Sequence, residues 1–162
     1  MPELPEVETI VRDLNRKIRG KTIKSVEVKV SKLVKIPNTK FVHLVVGQKI
    51  RNISRRAKII CVNLGDNFLL IHLKLTGQLI YREKSGRRSR AMSRDKLTAG
   101  GHAVPKGLEN LPNKFTHIIF NFKDGSHLFY NDLRKFGWMN IVPASSVDEQ
   151  LNKNFGPEPL SP

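Results

Sequence analysis

Residues 57–81 read AKIICVNLGDNFLLIHLKLTGQLIY. Apolar runs (AKIICVNL, FLLIHLKL, QLIY) follow one another with only turn-forming residues between them. Short apolar runs bounded by Gly, Asp and Asn are the pattern of strands joined by tight hairpins, and LGDNF at 64–68 reads as such a connection. Working outward, the pattern recurs. TIKSVEVKV at 22–30 alternates through Val26, Val28 and Val30, and FVHLVV at 41–46 reads as a further strand. Towards the C-terminus come THIIFNF, HLFY and GWMNIV, with KDGS at 123–126 as a second tight turn. The expected fold is mainly β with α: an antiparallel β-sandwich (flattened barrel) of about eight strands, flanked by an N-terminal helix and a second short helix.

The N-terminal helix is expected over residues 5–19, where Val7, Ile10, Val11, Leu14 and Ile18 recur at helical spacing. Pro5 suits its first turn and Gly20 its stop. Glu6 and Glu8 lie at the positive end of the helix dipole, with Arg16, Lys17 and Arg19 at the negative end. One segment breaks the strand rhythm. Residues 83–114 are too long for an ordinary hairpin and rich in Gly, Ser and charge, and 82–96 alone holds seven basic and two acidic residues. Such an insertion is either a solvated loop or an arm that touches DNA phosphates. The tail after Val142, ending NFGPEPLSP, has no core pattern and reads as a linker.

At 162 residues the chain is expected to form one domain, with a core. Its 29 Lys and Arg against 14 Asp and Glu give a net charge of +15, an excess that calls for a polyanion, so nucleic acid is the leading partner. An anionic membrane is the weaker alternative, because no apolar run approaches the ~18 residues of a span and no basic amphipathic helix stands out. The N-terminus lacks the charged and apolar regions of a secretory signal. The single cysteine, Cys61, has no internal disulfide partner, which suits a reducing, cytoplasmic setting. One cysteine and five scattered histidines provide no metal-site spacing.

Against this positive charge, the first ten residues, MPELPEVETI, carry three glutamates and no basic residue. Methionine before a small residue such as Pro2 is commonly removed, leaving a secondary amine. An α-amino group titrates near ~8, so part of it is neutral at physiological pH and able to attack an electrophilic carbon, forming an iminium. Glu3 could move protons or stabilise developing positive charge beside it. Pro-Glu-x-Pro-Glu is equally a good helix start, so the decapeptide alone leaves catalysis open.

Five motifs occur in order: PELPEVET at 2–9, RRAK at 55–58, IHLKLTGQL at 71–79, NDLRKFG at 131–137 and GPEPLS at 156–161. Together they closely resemble the N-terminal domain of bacterial formamidopyrimidine-DNA glycosylases, of the formamidopyrimidine glycosylase/endonuclease VIII family. The resemblance spans nearly the whole chain apart from the 83–114 insertion. It implies a catalytic domain over residues 1–156 with a linker starting at 157–162. It also implies a cytoplasmic, nucleoid-associated bacterial repair enzyme that excises oxidised purines and then cuts the strand. Pro2 would attack the sugar C1′ of a flipped nucleotide, with Glu3 assisting at the ring oxygen and Glu6 in the same pocket. Lys58 would meet the lesion's phosphate or assist base departure. His72 would contact a phosphate, as would the basic pair Arg55 and Arg56. On their own, Lys58 reads as a charge starting a strand in phase with Ile60 and Val62, and His72 as a structural histidine.

In NDLRKFG, Arg134 and Phe136 are two apart, so an extended backbone would point both one way. The resemblance makes Arg134 the donor to an orphaned cytosine and Phe136 a wedge in the broken stack, with Leu75 where relatives carry methionine. Without it, Phe136 reads as core and Arg134 as a surface ion-pair residue. The implied partner is double-stranded DNA containing damaged bases, bound by a monomer, with no membrane. The helix–two-turns–helix domain and four-cysteine zinc finger of such enzymes lie outside this sequence, so no cofactor is expected in it and zinc only in that finger. A non-catalytic nucleic-acid-binding module on the same scaffold is the alternative.

Overall fold

The structure is a computed structural model and describes residues 3–84 and 110–155. The expectations for Pro2, for most of the 83–114 insertion and for the last residues therefore fall outside the described residues. Helix α1 (Leu4–Lys17) is followed by β1 (Ile23–Val28), α2 (Asn38–Val45), β2 (Asn52–Arg56), β3 (Ile59–Asn63), β4 (Asn67–His72) and β5 (Gly77–Arg82). After the insertion come β6 (Thr116–Phe122), β7 (His127–Asp132), β8 (Trp138–Pro143) and α3 (Val147–Phe155). The strands form two four-stranded antiparallel sheets, ordered β1-β6-β7-β5 and β2-β3-β4-β8. This is the expected mainly β sandwich with flanking helices.

The apolar runs are nearly continuous because the sheets bury side chains on both faces. Facing inward, Ile60 and Val62, Leu69 and Ile71, Ile118 and Phe120, Leu128 and Tyr130, and Met139 and Ile141 share one core with Val7, Ile10, Val11 and Leu14 of α1. Facing outward on the second sheet, Ile59, Cys61, Leu70 and Val142 meet Leu151 of α3. On the first sheet, Ile80, Ile119 and Phe129 meet Leu111. Each fully buried aliphatic or aromatic side chain in these layers contributes ~1.5–3 kcal/mol. The turn LGDNF closes β3 onto β4 as expected, with Gly65 at φ +98, where a side chain would be strained.

The structure corrects the secondary-structure reading of three segments. FVHLVV belongs to helix α2, not to a strand: Phe41 and Val45, four residues apart, are both fully buried on its inner face. Its valines favour strand locally, but the buried stripe decides. The polar segment Asn52–Arg56, which shows no apolar alternation, is edge strand β2. Its outer backbone groups at Ile53 are taken up by the Asn15 side chain, which accepts the Ile53 N–H at 2.9 Å and donates to its carbonyl at 2.7 Å. Helix α1 thus covers the free edge as a neighbouring strand would. The tail beyond Val142 forms α3, anchored by Leu151 and by the Asn152 side chain, which receives a hydrogen bond from Arg56.

Candidate DNA-facing site

Strand register gathers the sequence-selected residues at one end of the sandwich. Ile59 at the start of β3 pairs with His72 at the end of β4, which pairs with Trp138 at the start of β8. Gly77 at the start of β5 pairs with Asp132 at the end of β7. The connections protruding here are the β2–β3 turn (57–58), the β4–β5 loop (73–76) and the β7–β8 loop (133–137). Each contains a non-glycine residue in the left-handed region: Ala57 at φ 53, Lys74 at φ 55 and Lys135 at φ 59. No other non-glycine residue among those described has a positive φ. Such conformations cost of order 1 kcal/mol apiece and persist where surrounding contacts over-determine them, commonly at functional sites.

At the start of α1, Glu3 is the exposed N-cap residue, and Glu6, one turn on, accepts the Glu3 N–H at 3.0 Å. Lys58 does not begin a strand in phase with Ile60. It sits in the two-residue turn between β2 and β3, and this puts its Nζ 3.8 Å from Glu3 Oε1. The neighbouring arginines diverge. Arg55 hydrogen-bonds the Glu8 carboxylate of α1 and donates to the Ala57 carbonyl at 3.2 Å, while Arg56 reaches α3. Both hold helices onto β2, so within the fold they act as struts for the Lys58 turn.

His72 is 6% exposed and lies against Trp138, ring centroids 5.7 Å apart. The backbone N–H of Lys74 donates to its Nδ1 at 3.1 Å, which leaves Nε2 to carry the proton of a neutral ring. Burial, then the Lys74 and Lys58 ammonium groups, push the imidazole down to about 4. The ring is therefore a neutral donor at physiological pH. With the folded value below the unfolded one near ~6.5, its stabilising effect is complete above that pH and is lost as pH falls towards 4. Between pH 7 and 5 the chain is expected to lose about 2 kcal/mol through this group, on the order that two-state linkage gives. Urea unfolding at the two pH values measures the loss, and His72→Gln flattens it. His127, also pushed down, chiefly by burial, remains in both proteins, so the difference between them isolates His72.

The remaining residues form an apolar ridge. The exposed large hydrophobic residues among those described are Leu75 (45%), Leu133 (61%) and Phe136 (55%), on two adjacent loops, with Arg134 exposed between the last two. Phe136 is therefore not core. Arg134 and Phe136 do not share an extended backbone, because Lys135 between them turns left-handed as its N–H bonds the Asp132 carboxylate at 3.0 Å. Asp132 is fully buried, and its carboxylate also accepts from Tyr130 Oη at 2.7 Å, from the Gly137 N–H at 2.9 Å and from Thr76 Oγ1. The sequence reading passed over Thr76, Asp132 and Leu133. The one available signal was an aspartate closing the apolar strand HLFYND, a position where a charge needs several donors.

Chemically, the site combines an acid, an ammonium and a neutral imidazole donor with a cation-bearing apolar ridge. Comparison with known proteins gives a consistent result. The profile of a family described as formamidopyrimidine-DNA glycosylase N-terminal domain matches residues 1–139. The formamidopyrimidine-DNA glycosylase of Bacillus licheniformis is 37% identical over 164 residues, covering 99% of this chain and 51% of the relative. That of Streptococcus mutans is 37% identical over 160 residues, covering 98% and 50%. Among solved structures, Lactococcus lactis Fpg in complex with abasic-site DNA superposes with a TM-score of 0.74 at 27% identity, covering 93% of this chain and 48% of that one. The same protein with DNA containing Fapy-dG gives the same score, identity and coverage. The chain spans about half the length of the curated relatives it matches.

Proposed function

The chain belongs to the formamidopyrimidine-DNA glycosylase family, and on that premise we propose that it is the catalytic domain of a bifunctional base-excision enzyme acting on oxidised purines in duplex DNA. With Met1 removed, the Pro2 amine attacks C1′ of the extruded nucleotide and the bond to the damaged base breaks, the base leaving with the bonding electrons and a proton. Glu3 delivers a proton to the ring oxygen, the sugar opens, and the nitrogen lone pair closes an iminium. Loss of a proton from C2′ then expels the 3′ phosphate, and a second elimination expels the 5′ phosphate. Lys58 and the neutral His72 meet the phosphates that flipping carries into the site. Leu75, Arg134 and Phe136 occupy the gap left in the stack. The observation that carries this reading is the Lys58 ammonium 3.8 Å from the Glu3 carboxylate, at the residue next to Pro2 in the chain.

Borohydride trapping tests it. Incubated with duplex DNA bearing an oxidised guanine or an abasic site, the methionine-free chain is expected to form a covalent adduct through Pro2, located by peptide mass spectrometry. Salt-sensitive binding indifferent to lesions, with no adduct, would instead identify a non-catalytic module on the same scaffold.

A further inference from the structure

The backbone N–H groups of Arg134, Lys135 and Gly137 all turn inward, to Thr76 Oγ1 at 3.0 Å, Asp132 Oδ1 at 3.0 Å and Asp132 Oδ2 at 2.9 Å. With the amides fixed on the inside, Leu133, Arg134 and Phe136 are left on the outside, and all three are exposed. Thr76 is the joint. Its hydroxyl donates to Asp132 Oδ1 and accepts the Arg134 N–H, so one oxygen links the β4–β5 loop to the β7–β8 loop across 56 residues of sequence. Leu75 directly precedes it in the chain. The carboxylate that anchors the joint is fully buried and receives donors at both oxygens, so it has little freedom to move.

We propose that Thr76 and Asp132 are positioning residues: they latch the two loops into one rigid wedge, so that Leu75, Leu133, Arg134 and Phe136 enter the duplex in a fixed mutual arrangement. The inference rests on the glycosylase reading for its substrate, DNA with one nucleotide extruded. The latch touches no reacting atom. A single strand with an abasic site has no stack to fill, so the latch should be dispensable there. A duplex with an intact damaged base requires the wedge, and a misplacement of about 1 Å can cost up to ~100-fold in rate.

Thr76→Val keeps the branched shape and removes the hydroxyl, whereas Thr76→Ser keeps the hydroxyl. Two readouts are taken on the full 162-residue chain: amide hydrogen exchange at Arg134, and the rate of borohydride trapping on abasic single strand and on duplex containing an oxidised purine. In Thr76→Val, exchange at Arg134 should accelerate and the duplex-to-single-strand ratio of trapping rates should fall by about tenfold, while Thr76→Ser stays within roughly twofold of wild type. Faster exchange with an unchanged ratio overturns the positioning role. Unprotected Arg134 in the wild type overturns the latch itself. Absence of any adduct from the wild type defeats the glycosylase reading and the positioning role with it, while the exchange data still report whether the latch forms.

Discussion

Replacing Gly137 by alanine is expected to destabilise the chain by about 3–5 kcal/mol, from overpacking together with a lost charge-assisted hydrogen bond. A β-carbon there would stand 2.0 Å from Tyr130 Oη, 2.7 Å from the His72 carbonyl oxygen and 3.0 Å from Asp132 Oδ2. None of these neighbours can retreat cheaply. Tyr130 is fully buried and its hydroxyl is committed to Asp132; its own burial first, then that hydrogen bond and the carboxylate's charge, push the phenol far up its titration range. His72 pairs in register with Trp138, so moving its carbonyl shifts the start of β8. Relief must come from rotating the tyrosine out of its hydrogen bond or from displacing the β7–β8 loop, and either disturbs the donors around the Asp132 carboxylate. Thermal unfolding followed by circular dichroism should show a midpoint about 10 °C lower or more, given ~2–4 °C per kcal/mol at this size. A midpoint within roughly 3 °C of wild type would mean that the loop yields freely, and the rigid wedge would lose its foundation.

The contrast between Gly137 and the residues around it shows which parts of this molecule are legible in its sequence. Helix α1 is legible because Val7, Ile10, Val11 and Leu14 repeat at the period of the element they form. The inner strands are legible because their runs are apolar and closed by turn residues. Segments whose state is set by distant partners are not. Strand β2 is polar, and only its pairing with β3 and the Asn15 clamp give it away. Helix α2 carries strand-favouring valines, and α3 depends on an outer apolar patch of the second sheet that no local pattern announces.

The site divides in the same way. Glu3, Lys58, His72, Leu75, Arg134 and Phe136 could be selected by motif, and register brings them to one end of the sandwich. What fixes them there could not be selected. The link from Thr76 spans 56 residues, the Arg55–Glu8 pair 47 and the Arg56–Asn152 contact 96. Arg55 and Arg56 look alike in sequence as basic DNA contacts, yet the fold gives each a helix to hold. Chemical groups are written locally, whereas their supports are written in the tertiary structure.

Under the proposed glycosylase mechanism, replacing Glu3 by glutamine is expected to slow excision of an oxidised purine from duplex DNA by on the order of 10²–10⁴-fold, the range for removing one positioned proton donor. Glutamine has nearly the same shape: the Glu3 N–H still donates to the Glu6 carboxylate, and the glutamine side-chain oxygen can still accept the Glu6 backbone N–H that the Glu3 side chain receives in the capping box. The Lys58 contact at 3.8 Å is solvent-exposed and contributes little to folding. Stability should therefore hardly change. The loss falls on the step in which a closed sugar must open while its base departs, because an amide cannot hand a proton to the ring oxygen. An abasic site makes no such demand: its sugar has already lost the base and partly exists as the open aldehyde, with which the Pro2 amine condenses directly in the proposed mechanism. Trapping on abasic DNA should accordingly survive in Glu3→Gln. Comparing the two substrates separates the possible roles. Equal loss on both would move Glu3 from the ring oxygen to the amine itself, and no loss on either would reduce it to the cap of α1.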